Sequence, residues 1–441
     1  MNKILCMMMV LYVPTAMAYL DPGTGSLVLS FVIGSIATCF FILKDVYYQF
    51  MRFIAAIFGF KMKRQRLGLV FYSEGDAYWH TFKPILASLH QRGLSATYLT
   101  SSPTDPGLDF ASPTIECQYI GQGTKAYTRL NFLEADVLAM TTPGLDVFQI
   151  KRSKRVRHYT YIQHAPTDGL YNTYSFDYFD SLLCSGSHQL AAIRSLEKLR
   201  NLPPKQLFES GCPYFDVLMA QKQQWTSNPS KAGLPHLLIA PTWDTNGLLS
   251  KFGMALLEPL AQQGYPMVIR PHPQSFVVEL NMIEALQKQL SRYANVTWDT
   301  RADNFPSLAA ADILISDMSG VIFDYAFVFE KPVITLKFAV DLQGTDANDY
   351  DRPLWELNAL DQIGAQVTLA DLPKLAAIID RLCADQTNIT RIQKLKETSI
   401  FHYGSAGDVI AQQLMHIQAE LTSLPTAASM PSELTLDTTS T

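Results

Sequence analysis

From Leu67 onward the chain alternates two textures, and this alternation limits its fold more than any other feature. Short runs of β-branched, aromatic and aliphatic residues occur at 68–72, 96–99, 136–140, 158–162, 179–184 and 206–209. Longer segments of helical periodicity lie between them, at 82–92 and 188–200. A polar stretch rich in helix breakers follows at 221–235, where Pro229, Gly233 and Pro235 interrupt any periodicity. The alternation then restarts, with apolar runs at 236–240, 267–270, 295–298, 312–315 and 332–336 and helical patterns at 249–263, 277–292, 303–310, 320–329 and 371–384. Strand–helix–strand series of this kind predict parallel sheets covered by helices on both faces. The expectation is an α/β protein of two doubly wound, Rossmann-like domains, residues 66–220 and 236–420, joined by the linker 221–235. Ligands of such sheets lie outside the carboxyl ends of the strands, so chemistry is expected in the cleft between the domains. The Thr- and Ser-rich stretch 421–441 reads as a disordered tail.

The first 65 residues have a different character. Lys3, an apolar run and Ala16-Met17-Ala18 give residues 1–18 the form of a signal-like hydrophobic segment. Residues 24–43 carry no charge, and about 20 apolar residues cross a ~30 Å hydrocarbon core, so this segment is expected to be a transmembrane helix. Lys44, Arg52, Lys61, Lys63, Arg64 and Arg66 follow it, which by the positive-inside rule places the large body on the cytoplasmic side of a bacterial inner membrane. The aromatic and basic stretch 45–65 fits an interfacial helix or a continuation of the anchor equally well. A net charge of −5, with no basic stripe, speaks against a nucleic-acid partner. Cys6, Cys39, Cys117, Cys184, Cys212 and Cys383 are scattered without a C-x-x-C pair, a pattern of free thiols rather than of disulfides or a zinc site.

Four clusters at predicted strand ends carry chemistry. Ser316-Asp317-Met318-Ser319-Gly320 ends an apolar strand and opens a helix that includes Asp324; its N–H groups and small residues suit a phosphate, while Ser316 or Ser319 as a plain helix cap explains the same pattern. Arg270-Pro271-His272-Pro273 is a stiffened loop whose Arg can grip a phosphate and whose His can donate a proton; a solvated turn is the alternative. Gln163-His164-Ala165-Pro166 puts a candidate base at a strand end of the first domain, or a hydrogen-bonded structural histidine. Thr242, in Ala240-Pro241-Thr242-Trp243, follows the first strand of the second domain and can bond a donor phosphate. Ser210-Gly211-Cys212-Pro213 reads as a structural turn, and Ser73-Glu74-Gly75-Asp76 lies where an acceptor would meet the first sheet.

Taken in order, His164, Gly211-Cys212-Pro213-x-x-Asp216, Ala240-Pro241-Thr242-Trp243, Arg270-Pro271-His272-Pro273 and Ser316-Asp317-x-Ser319-Gly320-x-x-x-Asp324 resemble the CDP-glycerol glycerophosphotransferase family, the teichoic-acid polymerase and primase group, over residues 66–415. The resemblance implies a GT-B fold, no cofactor and no catalytic metal. It also implies attack of an acceptor hydroxyl on the β-phosphate of a CDP-activated polyol, with release of CMP. It assigns His164 as a base, His272 and Arg270 to the pyrophosphate and leaving CMP, and Thr242, Ser316, Asp317, Ser319, Gly320 and Asp324 to the donor. The acceptor would be lipid-linked or a surface glycan. Ala165 stands where the family has Gly, no Lys lies between His164 and Asp180, and Gly320 replaces a Ser. A glycosyltransferase of the same fold using a UDP- or CMP-sugar, with Glu330 on the ribose, and a non-catalytic membrane scaffold are the competing readings.

Overall fold

The computed structural model describes residues 66–226, 233–243, 247–337 and 342–423. The expected hydrophobic segments 1–18, 24–43 and 45–65, the middle of the linker and the tail from residue 424 lie outside these. Among the described residues no helix is long and apolar enough to cross a membrane.

The first sheet is built from β1 (Leu67–Ser73), β2 (Ala96–Thr100), β3 (Ile115–Tyr119), β4 (Ala135–Met140), β5 (Val156–Ile162), β6 (Ser181–Cys184) and β7 (Gln206–Glu209). Helices α1 (Trp79–Gln91), α2 (Thr124–Asn131), α3 (Ser187–Leu199) and α4 (Pro213–Gln224) accompany it. The second sheet comprises β8 (Leu237–Ile239), β9 (Met267–Ile269), β10 (Val296–Trp298), β11 (Ile313–Ser316), β12 (Val333–Leu336) and β13 (Gly364–Val367). Around it run α5 (Leu248–Gln262), α6 (Ser275–Val278), α7 (Leu280–Leu290), α8 (Phe305–Ala310), α9 (Val321–Phe329), α10 (Asp346–Asp349), α11 (Trp355–Ile363), α12 (Leu375–Ala384), α13 (Thr387–Ser399) and α14 (Ala406–Ser423).

The strand orders are β3-β2-β1-β4-β5-β6-β7 and β10-β9-β8-β11-β12-β13, and every pairing is parallel. Both sheets reverse their winding direction at the first strand, between β1 and β4 and between β8 and β11. Each sheet is buried on both faces, so its strands carry continuous apolar runs rather than an alternation. β1 shows this plainly: Val70 and Tyr72 enter one core, while Leu69 and Phe71 enter the other.

The expected strands are all present. The structure departs from the sequence reading in several places. The helix expected over 277–292 is interrupted at Glu279, whose φ of −127° is non-helical, leaving α6 and α7. Residues 221–224, expected to open the linker, form the last turn of α4. Strands β3 and β13 were not expected; both form sheet edges, and neither Ile-Glu-Cys-Gln-Tyr nor Gly-Ala-Gln-Val is a continuous apolar run. The last helix, α14, expected to close the second domain, returns to the first: Ile410, Ala411, Leu414 and Ile417 pack with Leu69, Phe71, Phe82 and Leu86. Asp216 of α4 holds the start of α14, accepting from Ala406 N at 3.2 Å and Gly407 N at 2.7 Å. The crossing chain passes so close to the Ser210–Pro213 turn that a Cβ at Gly211, where φ is +88°, would lie 2.5 Å from Phe401 O. Glycine alone fits there.

A second connection lies between β12 and β13. Asp346, at the start of α10, accepts from Tyr174 N at 2.7 Å, from Ser175 N at 2.8 Å and from the Arg200 guanidinium at 2.6 Å. Asp168 of the first domain accepts from Trp355 N at 2.6 Å, and Glu356 accepts in return from Asp168 N at 3.1 Å. Helix α11 of the second domain is therefore capped by a carboxylate of the first. If α14 is an integral layer of the first domain, Leu414→Ala should cost about 2–5 kcal/mol in urea unfolding, as buried leucine truncations do. A loss below about 1 kcal/mol would mean that the helix docks only loosely.

Candidate functional site

The carboxyl ends of β9, β8 and β11 are neighbours, and adjacent strands lie about 4.8 Å apart. The Arg270–Pro273, Ala240–Trp243 and Ser316–Gly320 loops thus emerge side by side, within about 10 Å, at the point where the second sheet changes winding direction. Ser319 and Gly320 lead into α9, where Ile322 N already donates to Ser319 O at 3.2 Å and Phe323 N to Gly320 O at 3.1 Å, so the N–H groups open to a ligand are those ahead of them. Ser319 is half-buried and Gly320 exposed, and nothing lies within 4 Å of the position a Gly320 Cβ would take. This leaves room for an anion at the helix start.

The neighbouring Ser316 and Asp317 act differently from the expectation that they face a ligand. Both are fully buried. Ser316 Oγ donates to Ala240 O at 2.6 Å, tying β11 to β8. Asp317 accepts from Thr242 N at 2.8 Å through Oδ1 and from Leu248 N at 2.9 Å through Oδ2. It caps α5 and shapes the Thr242 loop from below, so any effect on a ligand passes through that loop. Burial raises its pKa, and the bonds from Thr242 and Leu248 oppose the rise.

Arg270 also departs from expectation. Its guanidinium donates to Asp299 Oδ2 at 2.8 Å, to Arg301 O at 2.7 Å and to Ala302 O at 3.3 Å. Asp299 further accepts from Arg301 and Ser307, and these partners hold its pKa below the usual carboxylate range despite its burial. Arg270 therefore braces the 299–302 loop instead of presenting a free fork. His272 is freer. Its Nδ1 accepts from Gln274 N at 3.2 Å, which fixes the neutral ring as the Nε2–H tautomer and leaves a donor directed away from its own loop. Partial burial lowers its pKa, and the Asp317 carboxylate pulls the other way. The exposed Trp243 ring lies 6.3 Å from the imidazole.

In the first sheet, His164 follows β5. Burial pushes its pKa down to about 4, and its Nδ1 is buried without a hydrogen-bond partner. Tyr78 stands edge-on to the ring, centroids 5.2 Å apart. The Cys212 thiol donates to His164 O at 3.6 Å, and two residues on Tyr214 OH donates to Asn304 Oδ1 at 3.0 Å in the second domain. Asp324, Asp303 and Arg270 all act on the Tyr214 hydroxyl. The Cys212–Tyr214 turn, read from sequence as structural only, thus links the His164 loop to the loops of the second sheet. Asp324 lies against this turn, 9% exposed, rather than in the open loop end. Glu330, considered for a ribose contact, pairs with Lys396 at 2.7 Å and Gln393 at 2.8 Å.

Two clefts open at the carboxyl end of the first sheet, about 340 and 300 Å³ in volume, and Glu74 and Tyr127 line both. Among the described residues no group of His, Cys, Asp and Glu side chains is arranged to hold a metal ion.

Residues 149–349 match the family model of CDP-Glycerol:Poly(glycerophosphate) glycerophosphotransferase. Among solved structures, the wall teichoic acid polymerase TagF is similar at 16% identity and a TM-score of 0.53, over 81% of this chain and 90% of that one. A putative UDP-N-acetylglucosamine 2-epimerase from Listeria monocytogenes gives 12% and 0.54, over 82% and 98%. The UDP-GlcNAc 2-epimerase from Neisseria meningitidis bound to UDP-GlcNAc gives 13% and 0.53, over 79% and 100%. At these identities the structural likeness shows the shared fold alone. No curated protein matches the sequence.

Burial alone raises Asp324 to about 7, against about 3.9 for an unfolded aspartate. The folded state then holds a proton that the unfolded state releases between these values. The stabilisation is complete below pH ~4 and is lost as pH rises through ~7. Asp324→Asn should therefore raise the melting temperature over the parent more at pH 8 than at pH 5.5. Equal shifts at both pH values, by calorimetry, would contradict a buried, proton-holding carboxyl.

Proposed function

We propose that the chain is a CDP-glycerol glycerophosphotransferase-like transferase that moves glycerol phosphate from CDP-glycerol to a hydroxyl of a glycan or lipid-linked acceptor, releasing CMP. The observation that carries this reading is the meeting of a free helix start at Ser319–Gly320 with the His272 donor loop at one switch point.

In this reading the donor pyrophosphate lies across the β8, β9 and β11 loop ends, its oxygens toward the first N–H groups of α9 and the Thr242 loop. The acceptor oxygen attacks the phosphorus that bears glycerol. An O–P bond forms as the bond from that phosphorus to the oxygen bridging to CMP breaks. The acceptor proton passes to His164, which is neutral because burial holds its pKa near 4. Charge that builds on the departing CMP is met by the Nε2–H of His272. Asp317 and Arg270 contribute by fixing the loops. The match to a glycerophosphotransferase family model supports glycerol as the donor polyol, and Glu330, considered for a ribose contact, is engaged by Lys396 and Gln393.

The uncharged stretch 24–43 and the cations after it support anchoring to the inner membrane with both domains in the cytoplasm. Protease added to inside-out vesicles should then degrade the body, and protection of it would refute this orientation.

The reaction is tested with purified full-length protein, CDP-glycerol and a lipid extract. CMP should be released, and His272→Ala should slow turnover by about a hundredfold or more, as loss of a positioned proton donor does. CDP-glycerol at 100 times its dissociation constant should add about 2.7 kcal/mol of stability, and UDP-sugars should not. Unchanged turnover in His272→Ala would remove this mechanism.

A further inference from the structure

The two clefts of the first sheet have a consistent chemistry. One is lined by Tyr72, Glu74, Asp76, Ser101 and Tyr127, the other by Glu74, Tyr78, Tyr127, Gln149 and Asn172, with small and apolar residues between. The second opens between the loops after β1 and β4, at the switch point of that sheet, where a doubly wound sheet takes its ligand, and the first lies beside it over the ends of β1 and β2. Neither is lined by a lysine, arginine or histidine, and the charges they present are the carboxylates of Glu74 and Asp76. Tyrosine rings with carboxylate and amide groups match the alternating apolar faces and hydroxyl edges of a sugar or polyol. The carboxylates among them disfavour a phosphate, and no cationic side chain among the lining residues offsets that.

The clefts also reach the transfer chemistry. Tyr78, a wall of the second cleft, stands edge-on to His164, whose Nδ1 is buried and unpartnered. A hydroxyl delivered past Tyr78 arrives beside the His164 imidazole.

We propose that the Glu74–Tyr127 clefts form the acceptor site, and that they select an uncharged, hydroxyl-bearing glycan end over a poly(glycerol phosphate) chain, with Glu74 as the residue that reads the acceptor hydroxyls. This rests on the transferase reading above and narrows it. The enzyme starts or decorates on a neutral sugar rather than extending a polyanion. Glu74, whose pKa burial raises above the ordinary carboxylate value, accepts hydrogen bonds from two acceptor hydroxyls once ionised. Asp76 adds a second negative charge at the rim, where Thr104 Oγ1 reaches its carboxylate at 3.5 Å.

The test uses the full chain with saturating CDP-glycerol and two probes, an octyl glycoside of a neutral disaccharide and the same glycoside carrying one terminal glycerol phosphate. CMP release should give a kcat/KM about tenfold or more higher for the neutral probe. Glu74→Gln should raise KM for the neutral probe about tenfold with kcat little changed, the effect of losing a hydrogen bond to a charged group used only in binding. Asp76→Asn, at an exposed position where folding is not at risk, should narrow the preference between the probes. Equal or better use of the charged probe would overturn the proposal. So would an equal loss on both probes in Glu74→Gln, or no use of either probe while CDP-glycerol still protects the protein against heat. If CDP-glycerol gives no protection at all, it is the transferase reading itself that fails.

Discussion

The buried carboxylate of Asp317 is the constraint on which the second domain's site depends. It closes the gap that a doubly wound sheet creates at its switch point, where β8 and β11 part and their helices leave on opposite faces. Its two oxygens hold Thr242 N and Leu248 N, so one residue at the end of β11 fixes both Thr242, just beyond β8, and the start of α5. Ser316 reinforces this by binding Ala240 O. A buried carboxylate is tolerated because backbone N–H groups take the place of water. Arg270 and Asp299 form the matching brace on the β9 side. The described ends of these loops are therefore braced by hydrogen bonds without a ligand, which lowers the entropic cost of gripping one.

The same logic operates between the domains. A cleft enzyme needs its halves in register, and here the register is set by charge and capping rather than by a broad apolar seam alone. Arg200 gathers Asp177, Asp346 and Asp349, while Asp168 and Glu356 cap across the junction. Burial and the nearby Glu356 raise Asp168 to about 7. Ala347 and Leu354, from the segment between β12 and β13, complete the first domain's core. Together with α14, this gives two covalent crossings that return from the second half to the first.

How much of this the sequence disclosed follows from the range over which each feature is encoded. Buried parallel strands are local apolar runs, and all those read from sequence are present. That His164, His272, Thr242 and Ser319 stand just beyond strand ends was legible, because the apolar runs that precede them mark those strands. The roles of Arg270, Asp317 and Asp324 were not. Whether a guanidinium is free depends on Asp299, 29 residues away, and on two loop carbonyls that no spacing reveals. The Asp346–Leu357 strap is polar and aperiodic, and it becomes structure only against the loop at 168–177. Helix α14 is amphipathic in any reading, but its sequence does not say which of two sheets it covers.

The low basicity of His164 has a consequence for the order of events in the proposed reaction. An imidazole held near 4 by burial is a weak proton acceptor, and no protein carboxylate hydrogen-bonds its ring to make it stronger. The charge that can raise its pKa is that of the donor pyrophosphate, because a nearby anion stabilises the imidazolium while the buried apo site does not. Donor binding would then activate the base as well as present the electrophile. Without donor the histidine stays inert, and an acceptor resting in the Glu74 clefts meets no effective base. A built-in ionic partner for His164 would have favoured acceptor deprotonation at any time. Its absence among the described residues couples proton removal to the one state in which the phosphorus is present to be attacked.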